Sequence, residues 1–231
     1  MDIKHYHFDV VNSTQDTARE LFSQNTQVPF LVTADTQTGG RGRLGRPWIS
    51  SRGNFFGSLI VVTDMNPARY GEYSFLTAVV LRETIAKFSS EKIMLKWPND
   101  VLSGGKKCAG ILIEAEQDYL IIGIGVNLLH APPPDAIGYP AAALGIMNKA
   151  QFTSELIAQW MQWYDKYRRH DFDFVRTEWL RHAHAIGGKV TVQMPHKKLD
   201  GIFAGLDGQG NLLLTQGAET IKVTTADVFI S

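Results

Sequence analysis

The chain has 231 residues, enough to bury roughly 70% of the surface that its unfolded form exposes. Its 23 Lys and Arg residues balance its 23 Asp and Glu residues, which argues against a general nucleic-acid binder, a class that normally carries a basic surplus. Cys108 is the only cysteine, so a disulfide framework is excluded and a cytoplasmic location is expected. No signal peptide is predicted, and no apolar stretch reaches the ~18 residues of a membrane span.

Strands and helices are predicted to mix along the first 186 residues. In chain order the elements are a strand HYHFDVV, a helix NSTQDTARELFSQN, strands PFLVTAD and NFFGSLIVV, a helix YGEYSFLTAVVLRETIAKF, a strand IMLKW with the turn PND, a hairpin of CAGILIEAEQ and YLIIGIGVNLL, a proline-rich loop HAPPPDAIGYPAAALG, and helices FTSELIAQWMQWYDKYRRH and FDFVRTEWLRHAH. Ser13 or Thr14 can cap the first helix, and Asp16 favours its first turn. We therefore expect an α+β domain over residues 1–186.

The pattern changes after Gly187 and Gly188. Five short runs, KVTVQM, LDGIFAGLD, NLLLTQ, TIKVTT and DVFI, are separated by turns, of which DGQGN is the clearest. Short strands at such close spacing predict a small β-barrel over residues 187–231.

The segment TGGRGRLGRPW, residues 38–48, carries three arginines and four glycines. Gly40, Gly42 and Gly45 match the G-x-G-x-x-G dinucleotide fingerprint, but the following RPWISSRGNFFG suits a loop rather than the helix that this fingerprint requires. No Gly-Lys-[Ser/Thr] follows either, which argues against a P-loop. Glycines can turn backbone N–H groups toward an anion and arginines offer fixed forks for phosphate, so the segment favours a mobile anion clamp over a merely solvated loop.

Two further segments combine polar residues with a turn. KWPNDVL places Lys96, Asn99 and Asp100 around a proline, a set that suits Mg²⁺ binding or an ordinary Asn-Asp turn equally well. GGKKCAGILIE places Lys107 at the start of a buried strand, where its ammonium can face developing negative charge, although two exposed hairpin lysines would explain the pair on its own. The two segments gain weight because they accompany the glycine-arginine loop.

The motifs GGRGRLGRPW, KWPNDVL, KKCAGILIE and GIGVNL, in this order and spacing, resemble biotin protein ligase (biotin–[acetyl-CoA carboxylase] ligase). With NSTQ and the all-β tail, the resemblance runs from about Ser13 to the C-terminus. It implies a class II synthetase-like mixed-sheet catalytic domain followed by an SH3-like barrel. It also implies that biotin and MgATP give biotinyl-5′-AMP and pyrophosphate, and that biotin then passes to a lysine of a biotin carboxyl carrier domain.

The resemblance assigns roles to individual residues. The implied biotin-binding residues are Ser13, Thr14, Gln15, Gln37, Arg41, Gly42, Arg43, Lys107 and Gly110. The implied ATP and adenylate ligands are Arg41, Arg43, Trp48, Lys96, Asn99 and Asn127. Lys107, Arg41 and Asp100 would be catalytic, and Asp100 with Asn99 would hold Mg²⁺. Gln15 stands where the family usually has Asn, and Leu44 where many relatives have a basic residue.

The resemblance also bears on partners. ATP, Mg²⁺ and biotin are expected as substrates without any prosthetic group, and the carrier protein of acetyl-CoA carboxylase is the expected partner. Because the catalytic motifs begin so near Met1, we expect a form without an N-terminal DNA-binding domain and without DNA binding. Monomer or homodimer stays open. A lipoate or octanoate ligase or transferase of the same fold is the alternative function.

Overall fold

The computed structural model describes residues 2–24, 26–63, 65–194 and 196–230. Its larger sheet contains β1 (Lys4–Val11), β2 (Phe30–Gln37), β3 (Phe55–Val62), β4 (Ile93–Lys96), β5 (Asp100–Ser103), β6 (Lys106–Ala115) and β7 (Tyr119–Val126). Its helices are α1 (Thr14–Ser23), α2 (Glu72–Ala86), α3 (Pro134–Ile137) and α4 (Lys149–Arg181). The smaller sheet contains β8 (Lys189–Gln193), β9 (Lys198–Leu206), β10 (Leu212–Gln216), β11 (Glu219–Val223) and β12 (Asp227–Ile230).

The larger sheet is mixed, with the order β1-β2-β3-β7-β6-β5-β4. Only β1 and β2 pair in parallel, because α1 connects them as a crossover, and the other neighbours are antiparallel. The smaller sheet is antiparallel throughout, in the order β11-β10-β9-β8-β12. The predicted α+β class, with a mixed sheet followed by a small all-β unit, is confirmed. The boundary at residue 187 stays a prediction.

Helices cover both faces of the larger sheet. α1 is capped by Ser13, whose Oγ accepts from Gln15 N–H at 3.2 Å, and it packs its buried Ala18 against β2, β3 and β7. α2 and α4 pack against one another, and the core that they form on the other face continues into the smaller sheet. The two helices predicted for residues 152–184 form α4, which breaks at Asp171 (φ 59°).

The strand β5 was not predicted from the sequence. β5 follows the predicted PND turn directly and forms a hairpin with β4, in which Lys96 lies opposite Asp100. Four residues between two turns are too few to show a periodicity. No helix in the part of the chain that the structure describes is long and apolar enough to cross a membrane.

A turn of the smaller sheet supports the β4–β5 hairpin. Trp97 is buried in this hairpin, and its indole Nε1 donates to the carbonyl oxygen of Gly210 at 3.0 Å. Gly210 closes a turn in which Asp207 Oδ1 accepts from the backbone N–H groups of Gln209 and Asn211, both at 2.9 Å. The smaller sheet therefore fixes the position of a hairpin that carries three of the predicted site residues.

Asp207 should make the stability of this turn depend on pH. Partial burial raises the pKa of Asp207, but Lys222, Asn211 and Gln209 lower it more, to about 2. A carboxyl whose pKa is depressed on folding stabilises the protein above its unfolded pKa of about 4, and this contribution is lost as the pH falls through about 2. We expect Asp207→Asn to reduce the free energy of unfolding by about 2 kcal/mol at pH 7, and by much less near pH 2.

The measurement is urea unfolding at both pH values, with Asp118→Asn, in the exposed turn between β6 and β7, as the matched control. An equal loss of stability for Asp207→Asn at both pH values would show that the charge of Asp207 does not stabilise the turn.

Candidate active site

A cavity of about 370 Å³ lies where the glycine-arginine loop, the β4–β5 hairpin, β6, β7 and β12 meet. The sequence-predicted residues that line it are Thr14, Gln15, Gln37, Arg41, Gly42, Arg43, Trp48, Lys96, Asn99, Asp100, Lys107 and Gly110. Ser13 and Asn127 are buried but do not line it, since Ser13 caps α1 and Asn127 lies at a smaller neighbouring pocket. The fold thus brings most of the predicted residues into one cavity.

One end of the cavity is lined by amide and hydroxyl groups. Thr14 donates to Gln37 Oε1 through its N–H at 2.9 Å and through its Oγ1 at 3.1 Å. The amide Nε2 of Gln15 and the indole Nε1 of Trp48 are buried and have no hydrogen-bond partner among the described residues. A buried donor without a partner costs about 1–3 kcal/mol, so both atoms are suited to a ligand that brings acceptors.

Two glycines of β7 make room for these side chains. A Cβ atom at Gly123 would lie 2.9 Å from Gln15 Cδ, and one at Gly125 would lie 2.4 Å from Trp48 Cε2. Such distances are shorter than van der Waals contact, so any larger residue would push Gln15 or Trp48 into the cavity. Both glycines belong to the motif GIGVNL, but no role was predicted for them. Their spacing of two places them on one face of the strand, a signal that could have identified them.

Lys107 lines the cavity and is in contact with an acidic and two aromatic side chains. Its Nζ is 2.5 Å from Asp100 Oδ1, and it lies 5.5 Å and 5.2 Å from the ring centroids of Trp48 and Tyr139. Lys96 Nζ is 4.0 Å from the other oxygen of Asp100, and burial lowers the pKa of Lys96. The ammonium of Lys107 is therefore fixed in the cavity rather than free in solvent.

The glycine-arginine loop forms a short hairpin over the cavity. Trp48 N–H donates to the carbonyl of Gly40 at 2.9 Å, and Gly42 N–H donates to that of Arg46 at 2.7 Å. At its tip Leu44 has a left-handed backbone (φ 57°) and is 75% exposed. A single 3₁₀ turn over Arg43–Gly45 is the only helical structure in the loop, which agrees with the rejection of a dinucleotide fold.

Carboxylates of other elements hold the arginines of this loop. Arg41 binds both oxygens of Asp16 on α1, and Arg46 pairs with Asp227 on β12. Arg43 Nη1 donates to Asn99 Oδ1 at 3.3 Å, and burial lowers the pKa of Arg43. Nothing in the local sequence identifies these partners, because they come from opposite ends of the chain.

The cavity is electropositive. Among the described residues, five cationic and two carboxylate side chains line it: Arg41, Arg43, Arg46, Lys96 and Lys107, with Asp100 and Asp227. A concave site of low dielectric with excess positive charge concentrates anions such as phosphates. The arrangement suits a ligand that is uncharged at one end and anionic at the other.

The predicted Mg²⁺ ligands have other contacts. Asp100 is paired with Lys107 and lies near Lys96, while Asn99 Nδ2 donates to the carbonyl of Ile111 at 2.6 Å and its Oδ1 accepts from Arg43. One carboxylate beside two ammonium groups is a poor donor set for a hard cation, which prefers several oxygen ligands. These two residues alone do not fit a metal ion.

One residue of the cavity wall was not predicted. Tyr139, from the proline-rich segment that was predicted only as a surface loop, lines the cavity beside Lys107.

The cysteine of the chain lies in the core beside the cavity wall. Cys108 Sγ donates to the carbonyl of Val101 at 3.4 Å, and burial raises the pKa of its thiol to about 12. A thiol with such a pKa is a poor nucleophile, so Cys108 is a core residue rather than a covalent catalyst.

Known proteins resemble the chain in sequence and structure. Residues 7–127 match the biotin/lipoate A/B protein ligase family, and residues 185–231 match the biotin protein ligase C terminal domain. The bifunctional ligase/repressor BirA of Bacillus subtilis is 34% identical over 96% of this chain and 72% of its own length. The biotin–[acetyl-CoA-carboxylase] ligase of Paracoccus denitrificans is 32% identical over 86% of this chain and 89% of its own length.

The fold agrees with a solved structure. Biotin protein ligase from Aquifex aeolicus, in complex with biotin and ATP, superimposes with a TM-score of 0.88 at 24% identity, covering 99% of each chain. Because the sequence matches cover both the mixed-sheet region and the C-terminal sheet, the chain belongs to the biotin/lipoate A/B protein ligase family and, within it, to the biotin protein ligases.

Proposed function

We propose that the chain is a biotin–protein ligase that activates biotin with MgATP and transfers it to a lysine of the biotin carboxyl carrier domain of acetyl-CoA carboxylase. The cavity carries this proposal, because it combines buried donors that have no partner among the described residues with an excess of cationic side chains. The family membership supports the reaction, and the names of relatives such as the Paracoccus denitrificans ligase support the acceptor.

The first step joins two anions. In this proposal the ureido oxygen of biotin accepts from the donors of the amide end, and its carboxylate lies near Lys107. That carboxylate attacks the α-phosphorus of ATP, the bond to the β-phosphate oxygen breaks, and pyrophosphate leaves. Lys107 lowers the repulsion between carboxylate and phosphate and stabilises the charge of the transition state. Mg²⁺ enters with ATP as part of the substrate.

The second step forms an amide bond. The uncharged amine of the carrier lysine attacks the carbonyl carbon of biotinyl-5′-AMP, and AMP leaves with the electrons of the broken C–O bond. Asp100 is the proposed acceptor for the proton that the amine loses. The loop covers the adenylate meanwhile, because hydrolysis of the mixed anhydride by water would waste it.

Lipoate or octanoate is the alternative acid, since the family includes lipoate ligases. Neither acid has a ureido group to accept from Gln15 Nε2 at the closed end of the cavity. A site with buried polar donors rejects an analogue that leaves them unpaired. The unpartnered Gln15 amide therefore favours biotin.

The test of the proposal is to incubate the purified protein with a biotin carrier domain, MgATP and either biotin or lipoate, and to measure the mass of the carrier. We expect the mass of the carrier to rise by that of one biotinyl group, and only with ATP present. Attachment of lipoate but not biotin would overturn biotin as the substrate. Modification of the carrier without ATP, with an acyl thioester supplied in place of the free acid, would indicate a transferase. Binding of biotin with no modification of the carrier would indicate a binding protein.

Lys107→Ala should slow the first step by about 100- to 1,000-fold, because the charge next to the reacting phosphate is lost. The measurement is the rate of pyrophosphate release with biotin and ATP. Lys106→Ala is the matched control, because Lys106 is the exposed neighbour of Lys107 and does not line the cavity. A Lys107→Ala protein that releases pyrophosphate at the parent rate would show that Lys107 has no part in catalysis.

Gly123→Ala tests which end of the cavity holds biotin. The added methyl group would displace Gln15, so we expect the KM for biotin to rise about tenfold or more while the KM for ATP changes little. Gly71→Ala is the control, because a Cβ at Gly71 meets no atom within 4 Å and its backbone is helical. A selective rise in the KM for ATP instead would reverse the orientation of the ligands.

A further inference from the structure

Arg41 is already paired with carboxylates in this protein. Its Nη2 lies 2.7 Å from Asp16 Oδ1 and its Nη1 lies 2.9 Å from Asp16 Oδ2, the two parallel bonds of a bidentate pair. Glu114 Oε1 lies a further 3.6 Å from Nη2. Bidentate pairs of this kind are among the strongest polar contacts of a protein surface. The guanidinium for which the family resemblance implies a phosphate contact is thus bound to a carboxylate of α1.

Asp16 is itself held by neighbours other than Arg41. Asn12 Nδ2 donates to Asp16 Oδ2 at 3.1 Å, and Arg19 Nη1 donates to Oδ1 at 3.2 Å. Arg19 continues to Glu114 and Glu116, each at 2.9 Å, so the network ties α1 to the end of β6. The hydrogen bond from Arg41 lowers the pKa of Asp16, as expected for a paired carboxylate. Arg41 therefore binds a carboxylate that its neighbours already hold in position.

Arg43 differs from Arg41 in this respect. Among the described residues, its Nη1 makes long contacts, at 3.3 Å to Asn99 Oδ1, 3.5 Å to the carbonyl of Ala226 and 3.9 Å to Asp227 Oδ1. It is also the more buried of the two guanidinium groups. A phosphate oxygen can replace such contacts at a small cost in free energy. A phosphate that bound Arg41 would instead leave Asp16 without its strongest partner.

We propose that Asp16 is a positioning residue that anchors the glycine-arginine loop to α1 through Arg41. This inference rests on the proposed function, and it implies that Arg43 rather than Arg41 binds the phosphate. Asp16 directly follows Gln15, whose amide faces the cavity. The anchor thus links closure of the loop to the segment that contacts the uncharged end of the ligand. Its loss should weaken the retention of biotin and adenylate without weakening ATP binding.

The first test needs no ligand. Trypsin cleaves faster where the backbone can leave its folded conformation, so the rate of cleavage after Arg41 and Arg43, followed by mass spectrometry, reports how firmly the loop is held. We expect Asp16→Asn to speed cleavage of the loop about tenfold, while cleavage elsewhere in the chain stays at the parent rate. Glu20→Gln, an exposed carboxyl group one turn later on α1, should cleave like the parent. Equal loop cleavage in Asp16→Asn and the parent would overturn the anchor.

The second test separates the anchor from a phosphate contact. We expect Asp16→Asn, Arg41→Gln and the double variant each to raise the KM for biotin and the release rate of the adenylate about tenfold, with the KM for ATP within about twofold of the parent. The double variant should be no worse than either single variant, because both remove the same pair. Arg43→Gln should instead raise the KM for ATP.

A rise in the KM for ATP with Arg41→Gln, together with an unchanged or lower value for Asp16→Asn, would overturn the assignment. That result would mean that Arg41 leaves Asp16 for the phosphate. If the parent itself forms no adenylate, the proposed function fails, while the trypsin result still decides whether Asp16 anchors the loop.

Discussion

Mutual repulsion among the cations of the cavity is the constraint on which the site depends. Five cationic side chains face one concave space, and in a site of low dielectric their repulsion would keep the loop open. Three carboxylates from three different elements offset it: Asp16 on α1, Asp100 at the start of β5 and Asp227 on β12. The first helix, the β4–β5 hairpin and the smaller sheet therefore each contribute a carboxylate that holds the loop or the cavity wall in place.

The carboxylates do not cancel the field of the cavity. Asp16 neutralises Arg41 at the edge, while Arg43 keeps long contacts and Lys107 shares Asp100 with Lys96. The positive charge that remains lies deeper, near the aromatic rings of Trp48 and Tyr139. A polyphosphate thus meets cations that are held in place before it arrives, and little reorganisation is needed when charge develops during the reaction.

The sequence allowed the architecture and most of the cavity to be predicted, for identifiable reasons. The glycine-arginine loop and Lys107 lie in compact motifs, so short-range patterns were sufficient to find them. The contacts of Arg41 and Arg46 were out of reach, because their partners lie 25 and 181 residues away in the chain. Such contacts depend on how α1 and β12 pack. Tyr139 was missed because a proline-rich segment has no periodicity that indicates which side chain turns inward.

Under the proposed function, the uncharged end of the cavity would select the acid through buried hydrogen-bond donors rather than through charge. Gln37 is satisfied within the protein, accepting from Thr14 and donating to Ser50 at 3.1 Å, so it fixes the shape of this end without demanding a partner. Gln15 and Trp48 are left with buried donors, and the glycines of β7 keep the space in front of them clear. Each donor costs free energy until a ligand supplies an acceptor, so an acid without one gains less from binding. The cations alone would accept any acyl phosphate, so under the proposed function these two donors would restrict the choice of acid.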